Sequence, residues 1–357
     1  METSRGNGIT RRQLLGTGGL AVAAAMLQAG PAAAAEGAEC PPAEFVPLPQ
    51  TAFGPPIPQD KGYLVEEIGN GLFWVTEGSY IAVFLETRQG VVVVDAPPTL
   101  AQALPAAIAE VTSKQVTHFI YSHTHGDHVG VAGLLFPEAQ FIGHEDTAAT
   151  LARRDDASRR PVPQRTFKKQ RTLNFGGQRV ELMYPGPNHE PGNIFVWFPD
   201  QKTLMWVDVV FPGWVPFKSL ALAQDVPGIV AGHDMALALP FETFVGGHLT
   251  RLGDRQDVEI AREYIQDVRA ASFEALATVS FFDVLNDIGF LDPGDPSFLN
   301  QWELFDVYLN AVAHSAEEIV LDRWLGVLGG ADVFTFSHCF SMIESIRIDD
   351  NAVADFA

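Results

Sequence analysis

Cysteine is nearly absent: the 357-residue chain has two, Cys40 and Cys339, far apart in sequence. Two such thiols provide no disulfide framework, so a packed core must supply stability. An oxidising compartment would permit one bridge between them and no more. Positive charge is also scarce. Lys and Arg total 23 against 44 Asp and Glu, giving a formal net charge of −21 that is spread along the chain. Such a surface repels phosphate backbones and anionic lipid faces, which argues against nucleic acid or a membrane as partner. Long apolar runs are missing as well; Leu14 to Ala29 is too short and too rich in Ala and Gly to span a bilayer. No 20–50-residue repeat is visible, which excludes a solenoid. What is present is globular composition, 47% hydrophobic and 19% charged, enough for a sizeable core.

The N-terminus reads as a separate segment. Arg11-Arg12 precedes the apolar stretch, and Ala32 to Ala35 offer small-residue cleavage sites. Residues 1–35 therefore resemble a twin-arginine (Tat) export signal, which carries folded proteins. This implies a periplasmic or secreted mature chain and the Tat translocase as a transient partner. Residues 36–60 are rich in proline and read as an extended leader rather than a packed element. From Gly62 the pattern changes to short β-branched and aromatic runs, Tyr63 to Ile68, Leu72 to Thr76, Tyr80 to Glu86 and Val91 to Val94. Glycine-containing turns separate them, which predicts a meander. A helix is expected over 101–111, a strand over 117–121, a hairpin pairing 194–198 with 203–207, and a closing strand near 242–245. Residues 61–253 thus form one α/β domain of sheets covered by helices. Residues 254–357 read as a mostly helical C-terminal region. Asp254 caps a helix to about residue 277, a break follows at Asp292-Pro293-Gly294-Asp295-Pro296, and another helix covers 301–328.

The chemistry concentrates in Ser122-His123-Thr124-His125-Gly126-Asp127-His128-Val129-Gly130, directly after an apolar strand. With ten histidines in the chain, three at fixed offsets arise by chance in roughly 0.008 chains, before the Asp is required. A loop leaving a strand end can aim several imidazoles into one pocket, and imidazoles with a carboxylate suit zinc or a similar divalent ion. Three more ligand types sit at strand ends: His189 in a Pro/Gly/Asn-rich loop, Asp208 after Leu204 to Val207, and His248 after Val245-Gly246-Gly247. His118, His144, His233, His314 and His338 lack such company and read as structural. Trp206, Phe211, Trp214 and Phe217 surround the Asp208 position and are candidates to line an apolar substrate pocket.

An early strand-end Asp (Asp95), His-x-His-x-Asp-His, a lone His, a lone Asp and a final His occur in that order over about residues 62–252. In this the chain resembles the metallo-β-lactamase superfamily. The resemblance implies an αββα sandwich of two similar halves with two metal ions at one sheet edge. One ion would take His123, His125 and His189, and the other Asp127, His128 and His248. Asp208 would bridge them, with Asp95 behind, orienting a ligand imidazole. Two zinc ions are implied, with iron or manganese as alternatives, and a water held between two dications is acidified to hydroxide at neutral pH. Asp127 would orient that nucleophile and pass a proton to the leaving group.

A carboxylate at Asp208, where zinc β-lactamases carry Cys or Ser, resembles the glyoxalase-II-like and lactonase branches. The expected activity is therefore hydrolysis of an ester or lactone in a small molecule. A β-lactam, a thioester, or an iron-dependent oxidoreductase reaction of the persulfide-dioxygenase kind are the alternatives.

Overall fold

Thirteen strands form two sheets in a computed structural model that describes residues 45–287 and 300–349. The export-type signal, Cys40 and the Asp292–Pro296 break lie outside the described residues. The first sheet runs in sequence order through Leu64–Gly69 (β1), Leu72–Thr76 (β2), Ile81–Thr87 (β3), Gly90–Val94 (β4), Val116–Ile120 (β5), Gln140–His144 (β6) and Arg165–Phe167 (β7). Its first four strands are the expected antiparallel meander, and β5 to β7 continue in parallel. The second sheet holds Gln170–Phe175 (β8), Gln178–Met183 (β9), Phe195–Phe198 (β10), Thr203–Met205 (β11), Thr243–Val245 (β12) and Gly253–Asp254 (β13). The predicted hairpin is β10–β11, paired Val196 to Met205.

Side-chain alternation builds the layers. On β4, Val91 and Val93 pack with Leu104, Ala107 and Ile108 of helix α1 (Ala103–Val111), while Val92 and Val94 face the other sheet, against Leu182, Val196 and Val207. Both faces of β4 are therefore covered, which is why its sequence is an unbroken valine run. A helix Glu145–Ala152 (α2) follows β6. On the outer face of the second sheet, Leu204 and Trp206 meet Ile229 and Ala236 of α3 (Val226–Leu237) and Val258 and Ala261 of α4 (Arg255–Thr278). The result is the expected αββα sandwich with a helical C-terminal region.

Asp254 caps α4 in a reciprocal capping box with Asp257. Helix α5 spans Gln301–Trp324 and stops short of the expected 328, because Gly326, at φ +74°, ends it in the left-handed conformation that glycine adopts without a Cβ penalty. A further helix, Ala331–Asp349 (α6), then packs on α4 and α5. Their shared core includes Tyr264, Val268, Val312, Met342, Ile343 and a free, buried Cys339.

The segment expected to be an unpacked leader is packed in its described part, residues 45–60. Ala52 is buried, and its carbonyl accepts from Trp214 Nε1 at 3.0 Å and Thr250 Oγ1 at 2.9 Å. The Thr51 carbonyl accepts from Arg251 Nε, and Val46 N donates to Asp332. The segment docks largely through main-chain groups, a mode that leaves no hydrophobic period to read.

A buried polar set lies within the C-terminal core. Tyr264 Oη is 2.7 Å from His338 Nδ1 and 3.0 Å from Thr335 Oγ1, and His338 Nε2 donates to the Phe217 carbonyl at 3.0 Å. Burial pulls the His338 imidazole down to about 4, against backbone hydrogen bonds that raise it. A depressed folded value means that the unfolded chain binds a proton first. The stability this group contributes is therefore full above about pH 6.5 and is lost as pH falls toward 4. The variant His338→Asn is expected to flatten that loss by up to about one bound proton in metal-free protein. Urea melts of both proteins between pH 7 and 4 check this, and equal pH slopes would contradict it.

Candidate metal centre

The candidate ligands gather at one edge of the sandwich because each closes a strand or lies in the loop leaving it. His123 and His125 follow β5, and His125 leads into the helical turn Gly126–Val129, which swings Asp127 and His128 round. His189 sits in the loop between β9 and β10, Asp208 three residues past β11, and His248 three past β12. Asp95, just past β4, and Asp208, beyond β11, lie at φ +64° and +66°, a left-handed conformation that Asp tolerates better than most residues. Gly247 (φ +85°) lets the last strand approach: a Cβ there would lie 2.6 Å from Val207 Cγ1 and 3.2 Å from His128 Cε1.

Two groups result, His123, His125, His189 and Asp208, and Asp127, His128 and His248. Asp208 faces both. Its Oδ2 lies 3.2 Å from His123 Nε2 and 3.2 Å from His189 Nε2, and its Oδ1 lies 3.0 Å from His128 Nε2 and 2.9 Å from His248 Nε2. The rings of His128 and His248 point Nε2 at each other across 2.8 Å, and His189 Nε2 meets His125 Nδ1 at 2.9 Å. Asp127, with a half-exposed side chain, stands 3.7 Å from His128 and 3.8 Å from His248, and Tyr80 Oη donates to its Oδ2 at 3.4 Å.

Groups behind the ligands fix which nitrogen faces inward. Asp95 accepts from Ser122 N at 3.0 Å and Ser122 Oγ at 2.6 Å. The Ser122 hydroxyl, its proton committed, accepts from His123 Nδ1 at 2.8 Å. His123 therefore turns a bare Nε2 toward the site. Asp95 acts on His123 through this serine and lies 3.9 Å from His128 Nδ1. His189 Nδ1 donates to the Ala221 carbonyl at 2.6 Å, which likewise frees its Nε2. Buried Glu190 accepts from Thr124 N and Oγ1 and sits 3.3 Å from His125 Nε2, leaving His125 Nδ1 for the centre. Sequence reasoning passed over Ser122, Glu190, Tyr80 and Ala221. Only Glu190, beside His189, offered a local signal.

The Ala221 carbonyl is delivered by an unusual piece of backbone. Ser219, Leu220, Ala221 and Leu222 all lie near φ +55°, one turn of left-handed helix, which costs L-residues roughly 1–2 kcal/mol each. Helix α6 braces it: Ser219 N donates to Ser337 Oγ at 3.0 Å, and His338 holds the Phe217 carbonyl.

These residues fit a bound cation. His123 Nε2 and Asp208 Oδ1 are buried and make no hydrogen bond although ligand-type atoms stand about 3 Å away, an arrangement that protons alone do not complete. Burial would raise the Asp208 carboxyl, but the charge of His128 and the close imidazoles of His123, His128 and His189 hold it well below the usual carboxylate range. Burial takes His123 down to about 3, so its ring stays neutral and able to ligate. Asp95, buried completely, is pushed up to about 6.

Of the four candidate pocket residues, Phe211, Trp214 and Phe217 border the cavity beside the metal groups. Trp206 does not. It is fully buried under α3, edge-on to Phe195 at 4.9 Å and His233 at 5.5 Å. With Leu204 it occupies the helix-facing set of its strand, whereas Met205 and Val207 face the other sheet. Of the histidines set aside, His144 caps α2 and His233 lies beneath Trp206.

The variant Glu190→Gln should weaken metal binding by about 10–100-fold, the usual effect of losing a carboxylate behind a ligand imidazole. Competition with a chromogenic chelator reads this, and unchanged affinity would contradict the assigned role.

A family model for the Metallo-beta-lactamase superfamily matches residues 75–251. Among curated relatives, the 2,4-dinitroanisole O-demethylase subunit alpha of Nocardioides sp. (strain JS1661) is 28% identical over 62% of this chain and 68% of its own length. The metallo-beta-lactamase type 2 of Elizabethkingia meningoseptica is 28% identical over 43% of this chain and 64% of its own. That of Bacillus cereus is 32% identical over 34% and 46%. The chain thus spans about two thirds of the first two relatives and under half of the third. A solved metallo-beta-lactamase from Pontibacter korlensis covers 56% of this chain and 97% of its own at 19% identity, with a TM-score of 0.49. Because the matched stretch runs from the second strand to just past His248, and so contains every side chain of both ligand groups, the chain belongs to the metallo-beta-lactamase superfamily.

Proposed function

We propose that the protein is a dinuclear metal-dependent hydrolase that cleaves an ester or lactone bond in a small molecule. The observation that carries this reading is the single buried carboxylate, Asp208, presenting one oxygen to each ligand group. His123, His125 and His189 would hold one ion and Asp127, His128 and His248 the other, with Asp208 shared. Zinc suits this imidazole–carboxylate set, and iron or manganese are alternatives. When bound, the ions supply a hydroxide at neutral pH and polarise the carbonyl under attack.

The chain's own residues do the rest. Ser122, Ala221 and Glu190 hold the imidazoles in orientation, so little reorganisation accompanies the reaction. Asp127 reaches from the ligand set into the open cavity and can carry a proton from the nucleophile to the leaving oxygen. Tyr80 Oη, its hydroxyl pushed up to about 12 by burial and the neighbouring carboxylates, stays protonated and steadies Asp127 through a donated hydrogen bond. Proton and oxygen balance without another reactant: water adds across the acyl bond, and the leaving oxygen takes the proton.

One relative supports a second reading. The Nocardioides protein, matched over 62% of this chain, is named a 2,4-dinitroanisole O-demethylase subunit, so cleavage of an aromatic methyl ether belongs beside ester hydrolysis. The arginine pair Arg11-Arg12 and the alanine run behind it support export of this enzyme to the periplasm or beyond. Among the described residues no helix is long and apolar enough to cross a membrane.

A panel of an aryl ester, a lactone, a β-lactam, a thioester and a nitroanisole, run on zinc-loaded and iron-loaded protein, tests the assignment. Ester or lactone turnover is expected, abolished by chelation and restored by metal. The double variant His123→Ala/Asp208→Ala should fall to background. Full activity in that variant would contradict the proposal.

A further inference from the structure

We infer that the part of the substrate beside the scissile bond is uncharged and apolar, of aromatic size, and that the C-terminal helical region supplies part of its binding wall. The bond cleaved rests on the hydrolase reading above; the chemistry of the neighbouring group rests on the cavity alone.

The cavity over the metal groups has a volume of about 570 Å³, within the range of small-molecule sites. One side carries His125, Asp127, His189, Asp208 and His248. The apolar part of the lining is formed by Phe211, Trp214, Phe217 and Leu222 from the segment after Asp208, and by Val333 and Phe334 from the first turn of α6, with Phe211 against His248 at 5.7 Å between ring centroids. Among the described residues that line it there is no Lys or Arg, and its two carboxyl groups, Asp127 and Asp208, belong to the ligand groups. A neutral group entering this space leaves water for apolar contact. An anionic tail set against the apolar residues would lose its hydration and find no Lys or Arg there to replace it, since the positive charge of bound ions would lie with the ligand groups and their carboxylates.

Exposure points the same way. Phe217, Leu222 and Val333 are large apolar side chains that remain about half exposed, and all three line this cavity where it opens to solvent. Apolar surface clustered around a recess marks a binding face rather than scattered surface residues. The wall is also fixed in advance. Phe217 and Phe334 pack edge-to-face at 5.1 Å. Trp214 is held through Nε1 to the Ala52 carbonyl and backs onto Gly329, where a Cβ would fall 2.7 Å from its ring. Val215 N donates to the Gly329 carbonyl and Gly329 N to the Gly213 carbonyl, which stitches the glycine pair before α6 to the metal-bearing segment. The left-handed turn couples the two sides: Ala221 orients His189, and the next residue, Leu222, stands at the mouth.

The test compares matched ligands differing only in a distal charge. On zinc-loaded full chain, 4-nitrophenyl hexanoate is set against the mono-4-nitrophenyl ester of adipic acid. N-phenylhexanamide and its ω-carboxylate counterpart are titrated in parallel by calorimetry. Both are run at high salt, so that repulsion by the net charge of −21 is screened. The neutral amide should bind at least about 10-fold more tightly, and the neutral ester should show a correspondingly lower KM. The variant Val333→Lys places a cation at the mouth and should shift the ratio at least about 10-fold toward the carboxylate. Equal binding of the two amides by the wild-type protein, or no binding of either, would overturn the inference whatever happens to the esters. Discrimination between the amides with neither ester cleaved would leave the cavity assignment standing and sink the ester-hydrolase reading instead.

Discussion

A single buried carboxylate organises this molecule. Asp208 sits almost out of contact with solvent, with four imidazole nitrogens within about 3.2 Å of its two oxygens. Taking a carboxylate out of water is costly unless positive charge or hydrogen-bond donors surround it. In the metal-free chain that compensation falls to protonated imidazole: burial alone would lower His128, but the surrounding carboxylates, Asp208 foremost, raise it. A pair of dications would replace those protons, and the energy that binds them is the energy otherwise needed to keep so many polar groups buried.

The sandwich is what makes so dense a site tolerable. Two sheets pressed together by Val92, Val94, Val196 and Val207 form a rigid block, and the ligands stand on the loops at one edge of it. Behind them, Ser122, Glu190 and the Ala221 carbonyl set the rings of His123, His125 and His189. The helical region extends that rigidity across the cavity. Its helix α6 braces the strained turn that carries Ala221 and contributes Val333 and Phe334 to the cavity wall. Catalytic edge and binding wall are thus parts of one packed unit.

The sequence made the site legible because four of its ligands lie within six positions, where chance matches are rare. His189, Asp208 and His248 stood out only through their order and their strand-end settings, and the folded chain brings all of them to the same place. Alternating strands and the Asp254 cap were equally readable, being local. Contacts between distant segments were not. The Ala52 carbonyl beneath Trp214, the left-handed turn at 219–222 and the link from Asp95 through Ser122 to His123 depend on main-chain geometry that residue types do not encode. Trp206 shows the same limit from the other side. An aromatic next to Asp208 suits a pocket equally well until strand alternation assigns it to the helix-covered face.

The most direct measurement is anomalous diffraction from crystals of the zinc-loaded protein. Two peaks are expected, one on each side of the Asp208 carboxylate, the first within reach of His123, His125 and His189 and the second of Asp127, His128 and His248. One peak alone, or two with Asp208 touching neither, would contradict it.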